Sequence, residues 1–231
     1  MPTIRLEQVT KIYRSRARRA PTVLDLSLRI EQGEFVFLVG PPGAGKTTLL
    51  KLIGGELMPD RGLVLLGDLN LRRMGLVQRG RLRREIGVVA QEPRLNRDVT
   101  VRENLAPRHL TDRLLDFVNN EPLVEKSLAL VGLAGYEGRY PLELSASENR
   151  RVELARAIMH SPSILLLDAL TEGVDEDAGW DMMHLLSELS ARGTTVIVST
   201  GDGAFVNIMR KRVVTLSEGK IVSDVKKGRI G

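Results

Sequence analysis

Positions 40 to 47 read Gly40-Pro41-Pro42-Gly43-Ala44-Gly45-Lys46-Thr47, a full match to the phosphate-cradling pattern G-x-x-x-x-G-K-[ST]. Glycines in such a loop let successive backbone N–H groups converge on phosphate oxygens, and a helix starting there adds positive potential. Lys46 stands where a lysine reaches the β- and γ-phosphates of a nucleotide, and Thr47 where a hydroxyl ligates Mg²⁺. An apolar run enters the loop, and Thr48-Leu49-Leu50-Lys51-Leu52-Ile53 leaves it as a helix. A mere Gly/Pro turn would not need lysine, threonine and both flanking elements in register. The metal also needs an acidic group on a neighbouring strand tip. Asp168, directly after Ile164-Leu165-Leu166-Leu167, supplies one. A carboxylate ending a buried strand is costly unless a cation or a hydrogen-bond donor meets it.

These groups need a scaffold of strands with helices between them. Residues 3–9 and 23–30 alternate apolar and polar side chains, as half-buried strands do. Residues 34–39 form a denser apolar run ending at Gly40, which suits a buried parallel strand. Residues 63–66 and 86–90 read as further strands. From 92 to 159 the pattern turns helical, with Leu114, Leu115, Phe117 and Val118, then Val124, Leu128, Leu130 and Val131, on recurring faces. Strand character returns at 164–167 and 195–198, and residues 213–225, centred on Glu218-Gly219, predict a terminal hairpin. Strands alternating with helices imply an α/β sheet interrupted by a helical insertion.

Composition narrows the class. The 231 residues are 42% hydrophobic and 27% charged, ordinary for one large globular domain. With no cysteine, thiolate metal sites and disulfides are excluded, and a reducing cytosol suits the chain. The first residues lack the apolar core of a signal peptide, and no uncharged apolar run approaches the roughly 18 residues that span a bilayer. Membrane attachment is therefore expected only through a partner. The net charge of +5 gathers at Lys11, Arg14, Arg16, Arg18 and Arg19, and again at Arg72, Arg73, Arg79, Arg81, Arg83 and Arg84. Aromatic content of 3%, with no aromatics interleaved in either cluster, argues against a nucleic-acid reader. Anionic headgroups or a solvated basic face explain the charge equally well.

Together with what lies between them, the two motifs resemble the ATP-binding-cassette (ABC) family over nearly the whole chain. Tyr13 sits where that family stacks an aromatic on adenine. Gln91 matches the glutamine that senses the metal and couples to the membrane subunit, and Thr100-Val101-Arg102-Glu103-Asn104-Leu105 resembles the T-V-x-E-N segment after it. Leu144-Ser145-Ala146-Ser147-Glu148 stands where the L-S-G-G-E signature belongs, followed by an arginine-rich helix, and Asp175 matches the D-loop aspartate. The resemblance implies a P-loop NTPase core of ABC type, a mostly parallel sheet with an antiparallel β subdomain, carrying an inserted helical subdomain. The single domain would span 1–231, with 1–91 and 160–231 as core and 92–159 as the helical part. It also implies ATP and Mg²⁺ as cofactors. Gly40, Gly43, Ala44, Gly45, Lys46, Thr47, Thr48, Ser145 and Asp175 would hold nucleotide, and Thr47, Gln91 and Asp168 the metal, partly through water. Gln91 and Asp168 remain as the catalytic candidates. Within the family, the run from Gly33 through the loop to Ile53 looks most like FtsE, the partner of the membrane protein FtsX. Lipoprotein and macrolide exporters share much of the pattern.

The departures from the family are specific. Its catalytic glutamate follows the strand-end aspartate, and here that place is Ala169. A methyl group can neither orient the attacking water nor accept its proton, and losing such a base costs about 10²–10⁴-fold in rate. The switch histidine position is Gly201, and the signature glycines are Ala146 and Ser147, whose Cβ atoms intrude where backbone should approach nucleotide. Glu172 reads as a solvated turn residue, His109, His160 and His184 as surface or packing histidines, and Met182-Met183 as core. Loss of three separate chemistries while binding residues persist predicts an ATP-gated subunit with weak or absent hydrolysis. It would act as a homodimer or heterodimer on an FtsX-like membrane protein in cell division and cell-wall control, at the inner face of the plasma membrane. The competing expectations are an exporter ATPase of the lipoprotein or macrolide type, and a non-enzymatic nucleotide-dependent regulator. The basic stretch 14–19 has no assigned role.

Overall fold

The computed structural model describes residues 3–13, 21–105 and 115–229. The basic stretch 14–19, His109 and Leu114 lie outside these, as do the side chains of Leu115, Phe117 and Val118. In chain order the elements are β1 (Ile4–Ile12), β2 (Pro21–Ile30), β3 (Phe35–Val39), α1 (Lys46–Ile53), β4 (Arg61–Leu66), β5 (Leu69–Asn70), α2 (Leu76–Glu85) and β6 (Ile86–Val89). Then come α3 (Val101–Leu105), α4 (Leu115–Leu130), α5 (Ala146–Ile158), β7 (Ile164–Asp168), α6 (Glu176–Ala191), β8 (Thr195–Ser199), α7 (Gly203–Met209), β9 (Arg212–Ser217) and β10 (Lys220–Val225).

The strands form two sheets, ordered β2-β1-β4-β5 and β10-β9-β3-β8-β7-β6. The first is antiparallel, and in the second only the β9–β10 pairing is antiparallel. Every residue of β3, β7 and β8 is buried, which is why these strands read as unbroken apolar runs. Successive side chains point to opposite faces. Phe37, Leu165, Leu167, Val196 and Val198 therefore enter one core, with the helices between β6 and β7 and with α6. Val36, Leu38, Ile164, Leu166 and Ile197 enter the other, with α1 and the antiparallel sheet. The sequence had predicted an α/β sheet broken by helices between 92 and 159, and α3, α4 and α5 occupy that interval.

Helix α4 buries Val124 and Leu128 and is followed by buried Val131, but Leu130 is 45% exposed, against the sequence expectation. Residues 124, 128 and 131 are spaced as one helical face, and 130 falls off it. Met182 and Met183 are buried as expected, and exposed His184 lies beside Trp180 with ring centroids 6.1 Å apart. Helix α2 was not separable in the sequence, because among its described side chains only Leu82 is buried. Its pattern has no apolar stripe to read.

Hairpin β9–β10 turns at Glu218 (φ 50°) and Gly219 (φ 77°), the two positive angles of a tight type I′ turn. This turn does more than join strands. The Gly219 N–H donates to the Ala44 carbonyl at 3.1 Å, and its own carbonyl accepts from Leu24 N–H at 2.9 Å. The hairpin thus braces the phosphate loop from behind.

Candidate nucleotide site

The loop between β3 and α1 is shaped by glycine. Gly40 has φ 146°, and a Cβ there would lie 2.1 Å from the Leu216 carbonyl oxygen. Gly45 has φ 103°, and a Cβ would meet the Thr22 carbonyl oxygen at 2.5 Å. Strands β9 and β2 press that closely on the loop, so only hydrogen fits. Gly45 is also the N-cap of α1 and brings no capping side chain, leaving the first-turn N–H groups oriented as anion donors. Lys46 lies across the loop, its Nζ donating to the Gly40 carbonyl at 2.6 Å and the Pro41 carbonyl at 3.1 Å. A phosphate could take over those donor hydrogens without moving the backbone.

Parallel pairing brings the distant groups to the same end of the sheet. β7 and β8 end in register at Asp168 and Ser199, and β3 lies beside β8. The resulting cleft has a volume of about 450 Å³. Glycines 40, 43 and 45 line it with Ala44, Lys46, Thr47 and Thr48, and facing them are Gln91, Asp168, Ala169 and Gly201. Asp168 is 6% exposed. Ala169 is held at φ 53°, and the N–H of Glu172 donates to its carbonyl at 3.1 Å. A Cβ built on Gly201 meets nothing within 4 Å, so that position is open. Exposed Glu172 also lines the cleft, as do Thr22, Ser199 and Thr200, none of which the sequence motifs pick out as site residues.

Other expected residues stand apart from the cleft. Tyr13 follows β1, is 42% exposed and is not part of its lining. Ser145 caps α5: its Oγ accepts from Glu148 N–H at 3.2 Å, while Ser145 N–H donates to the Glu148 carboxylate at 2.8 Å. Asp175 caps α6 by accepting from Ala178 N–H at 2.9 Å, and the Ser147 hydroxyl also hydrogen-bonds its carboxylate. Those two bonds, the backbone one first, hold the Asp175 carboxyl below its usual range. Ser147, expected at a signature position, is thus bound to Asp175 of its own chain. Ala146 begins α5 directly after Ser145.

The cradle fits polyphosphate: glycine turns that reject a Cβ, a helix N-terminus and a lysine meet at one wall. Among the described residues no group of three or more His, Asp or Glu could hold a metal on its own. Mg²⁺ is commonly held by one or two protein oxygens completed by water and substrate phosphates, and Thr47, Gln91 and Asp168 suit that habit.

Residues 23–172 match the ABC transporter family. The chain is 38% identical over 229 residues to the cell division ATP-binding protein FtsE of Mycobacterium tuberculosis, covering 99% of this chain and 98% of that one. It is 34% identical to FtsE of Bacillus subtilis, covering 97% and 98%. It is also 34% identical to the methionine import ATP-binding protein MetN of Geobacillus kaustophilus, but over only 64% of that longer protein. A dimeric ATP-binding cassette solved in a post-hydrolysis state with ADP and Pi superposes with a TM-score of 0.85 at 28% identity, covering 98% of this chain and all of that one. Cleft, sheet order and relatives agree: the chain belongs to the ATP-binding-cassette family and is an FtsE-like member of it.

Proposed function

We propose that the chain is the ATP-binding subunit of an FtsE/FtsX-like complex in cell division, using ATP binding far more than hydrolysis. The observation that carries this is an intact phosphate cradle facing a methyl group. Lys46, Thr47 and Asp168 line the cleft, while Ala169 and Gly201 occupy the positions from which a base and a γ-phosphate contact should come. Thr47 and Asp168 would hold Mg²⁺ with Gln91, partly through water. The metal would offset phosphate charge, and Gln91 would orient water. Without a group at 169 to take the proton, turnover falls by about 10²–10⁴-fold. Ser145 and Asp175 lie outside the cleft and would serve nucleotide across a dimer, homomeric or with another ABC subunit; Tyr13 would stack on adenine. Residues 1–91 and 160–231 would act as the core and 92–159 as the helical subdomain that carries the signature. Among the described residues no helix is long and apolar enough to cross a membrane. Attachment at the inner face of the plasma membrane would therefore run through the FtsX-like partner.

The test is single-turnover hydrolysis with bound and cleaved nucleotide recorded together, against Lys46→Ala as background. Uncleaved ATP retained through Lys46 supports the proposal, and cleavage well above the control overturns its catalytic half. A second reading, a turning-over ATPase of exporter type, is favoured by one observation: Glu172 lines the same cleft. If Glu172→Gln abolishes measurable cleavage, that carboxylate is the substitute base.

A further inference from the structure

Gln91 sits on a loop with no strand or helix of its own, between β6 and α3. Side chains hold it instead. Arg150, on α5, donates from Nη1 to the Ala90 carbonyl at 2.7 Å and from Nη2 to the Gln91 carbonyl at 2.6 Å. Its Nη1 also reaches Glu153 at 2.9 Å, and Glu153 accepts from Arg94 N–H at 2.6 Å. Arg156 Nη1 adds a bond to the Arg94 carbonyl at 3.0 Å. The Arg150 and Glu153 side chains are only 8% and 1% exposed. A buried ion pair contributes little net stability beside apolar packing, so its worth lies in what it positions. Here a planar guanidinium bridges two successive carbonyls and Glu153 from two nitrogens held in a fixed fork, which a lysine's single flexible ammonium does not reproduce.

We infer that Arg150 and Glu153 are positioning residues for Gln91, clasping its loop to the helix that Ser145 begins. The inference rests on the proposed metal role of Gln91. The clasp fixes the backbone on both sides of the loop start, at 90–91 and at 94, so that the Gln91 side chain meets the cleft in one arrangement. Outer groups that orient a metal's ligands typically govern about 10–100-fold of its affinity.

The test compares wild type, Gln91→Ala, Arg150→Lys, and Arg150→Gln combined with Glu153→Ala, which removes both charges and leaves neither buried alone. ATP affinity is measured with Mg²⁺ and with EDTA, alongside amide exchange of residues 91–94. The double variant is expected to lose about tenfold of the Mg²⁺-dependent gain, to leave ATP–EDTA affinity within about twofold, and to exchange at 91–94 about tenfold faster. Arg150→Lys keeps the pairing with Glu153 and is expected to lose at least threefold of the gain; should the double variant not fold, this variant decides. Wild-type exchange and wild-type Mg²⁺ gain in either folded variant overturn the clasp while the Gln91 reading stands. A full gain retained in Gln91→Ala overturns that reading, and with it the metal role inferred for the clasp.

Discussion

The N–H of Ala169 donates to the carbonyl of Ser199 at 3.0 Å, tying the residue after Asp168 to the strand end that leads to Gly201. Ala169 and Gly201 both face the cleft without a functional group, and the proposed function assigns them the places of a base and a γ-phosphate contact.

Restoring the side chains is therefore expected to restore rate. Gly201→His places its Cβ where no atom lies within 4 Å and should fold as wild type. Ala169→Glu keeps a left-handed backbone already occupied by a non-glycine residue, so its added strain is small. The pair of substitutions should raise single-turnover cleavage by about 10²-fold or more, and Ala169→Glu alone should supply most of it. No gain from the pair would place the defect at Ala146 and Ser147 instead.

The cradle glycines should separate by what surrounds them. Gly40→Ala drives a Cβ to 2.1 Å from the Leu216 carbonyl oxygen and is expected to destabilise the fold by about 3 kcal/mol or more. Gly43→Ala meets nothing within 4 Å and carries only the left-handed penalty, about 1–2 kcal/mol. Thermal denaturation of the two variants checks the order.

Gly219 does not itself line the cleft, yet it braces Ala44, which does. Gly219→Ala would place a Cβ 2.8 Å from the Thr22 carbonyl oxygen at a positive φ. ATP affinity should fall about tenfold through displacement of the loop, with Lys46 and Thr47 intact. Unchanged affinity would show that the loop holds its shape without the hairpin.

Acid should loosen the start of α5. The Ser145 N–H and then the Tyr136 hydroxyl, 2.9 Å away, hold the Glu148 carboxyl below its ordinary range. A lowered folded-state value contributes stability that is fully present above the unfolded value, about 4.3, and is lost as pH falls through the folded one. Glu148→Gln should therefore flatten the fall of melting temperature below about pH 4. An identical acid limb in both chains would remove Glu148 from the account.

Much of this molecule was legible locally. Gly40 to Thr47 and the run into Asp168 are short patterns whose chemistry depends on neighbours in the chain, so residue type and spacing suffice. The unbroken apolar runs of β3, β7 and β8 announce parallel strands because burial on both faces leaves no polar alternation. Ala169, Gly201, Ala146 and Ser147 were visible as departures for the same reason.

Other features needed the tertiary structure. Thr22, Ser199 and Thr200 join the cleft only because β3 lies between β8 and β9 and the start of β2 presses on the loop after β3, an arrangement no local pattern encodes. The sequence shows only an arginine-rich helix after Glu148, and packing of α5 against the Gln91 loop buries its Arg150 and Glu153 as a pair. Residue type and spacing determined the nucleotide chemistry; long-range packing decided which groups surround it and what holds Gln91 in place, because those contacts join residues some 60 positions apart.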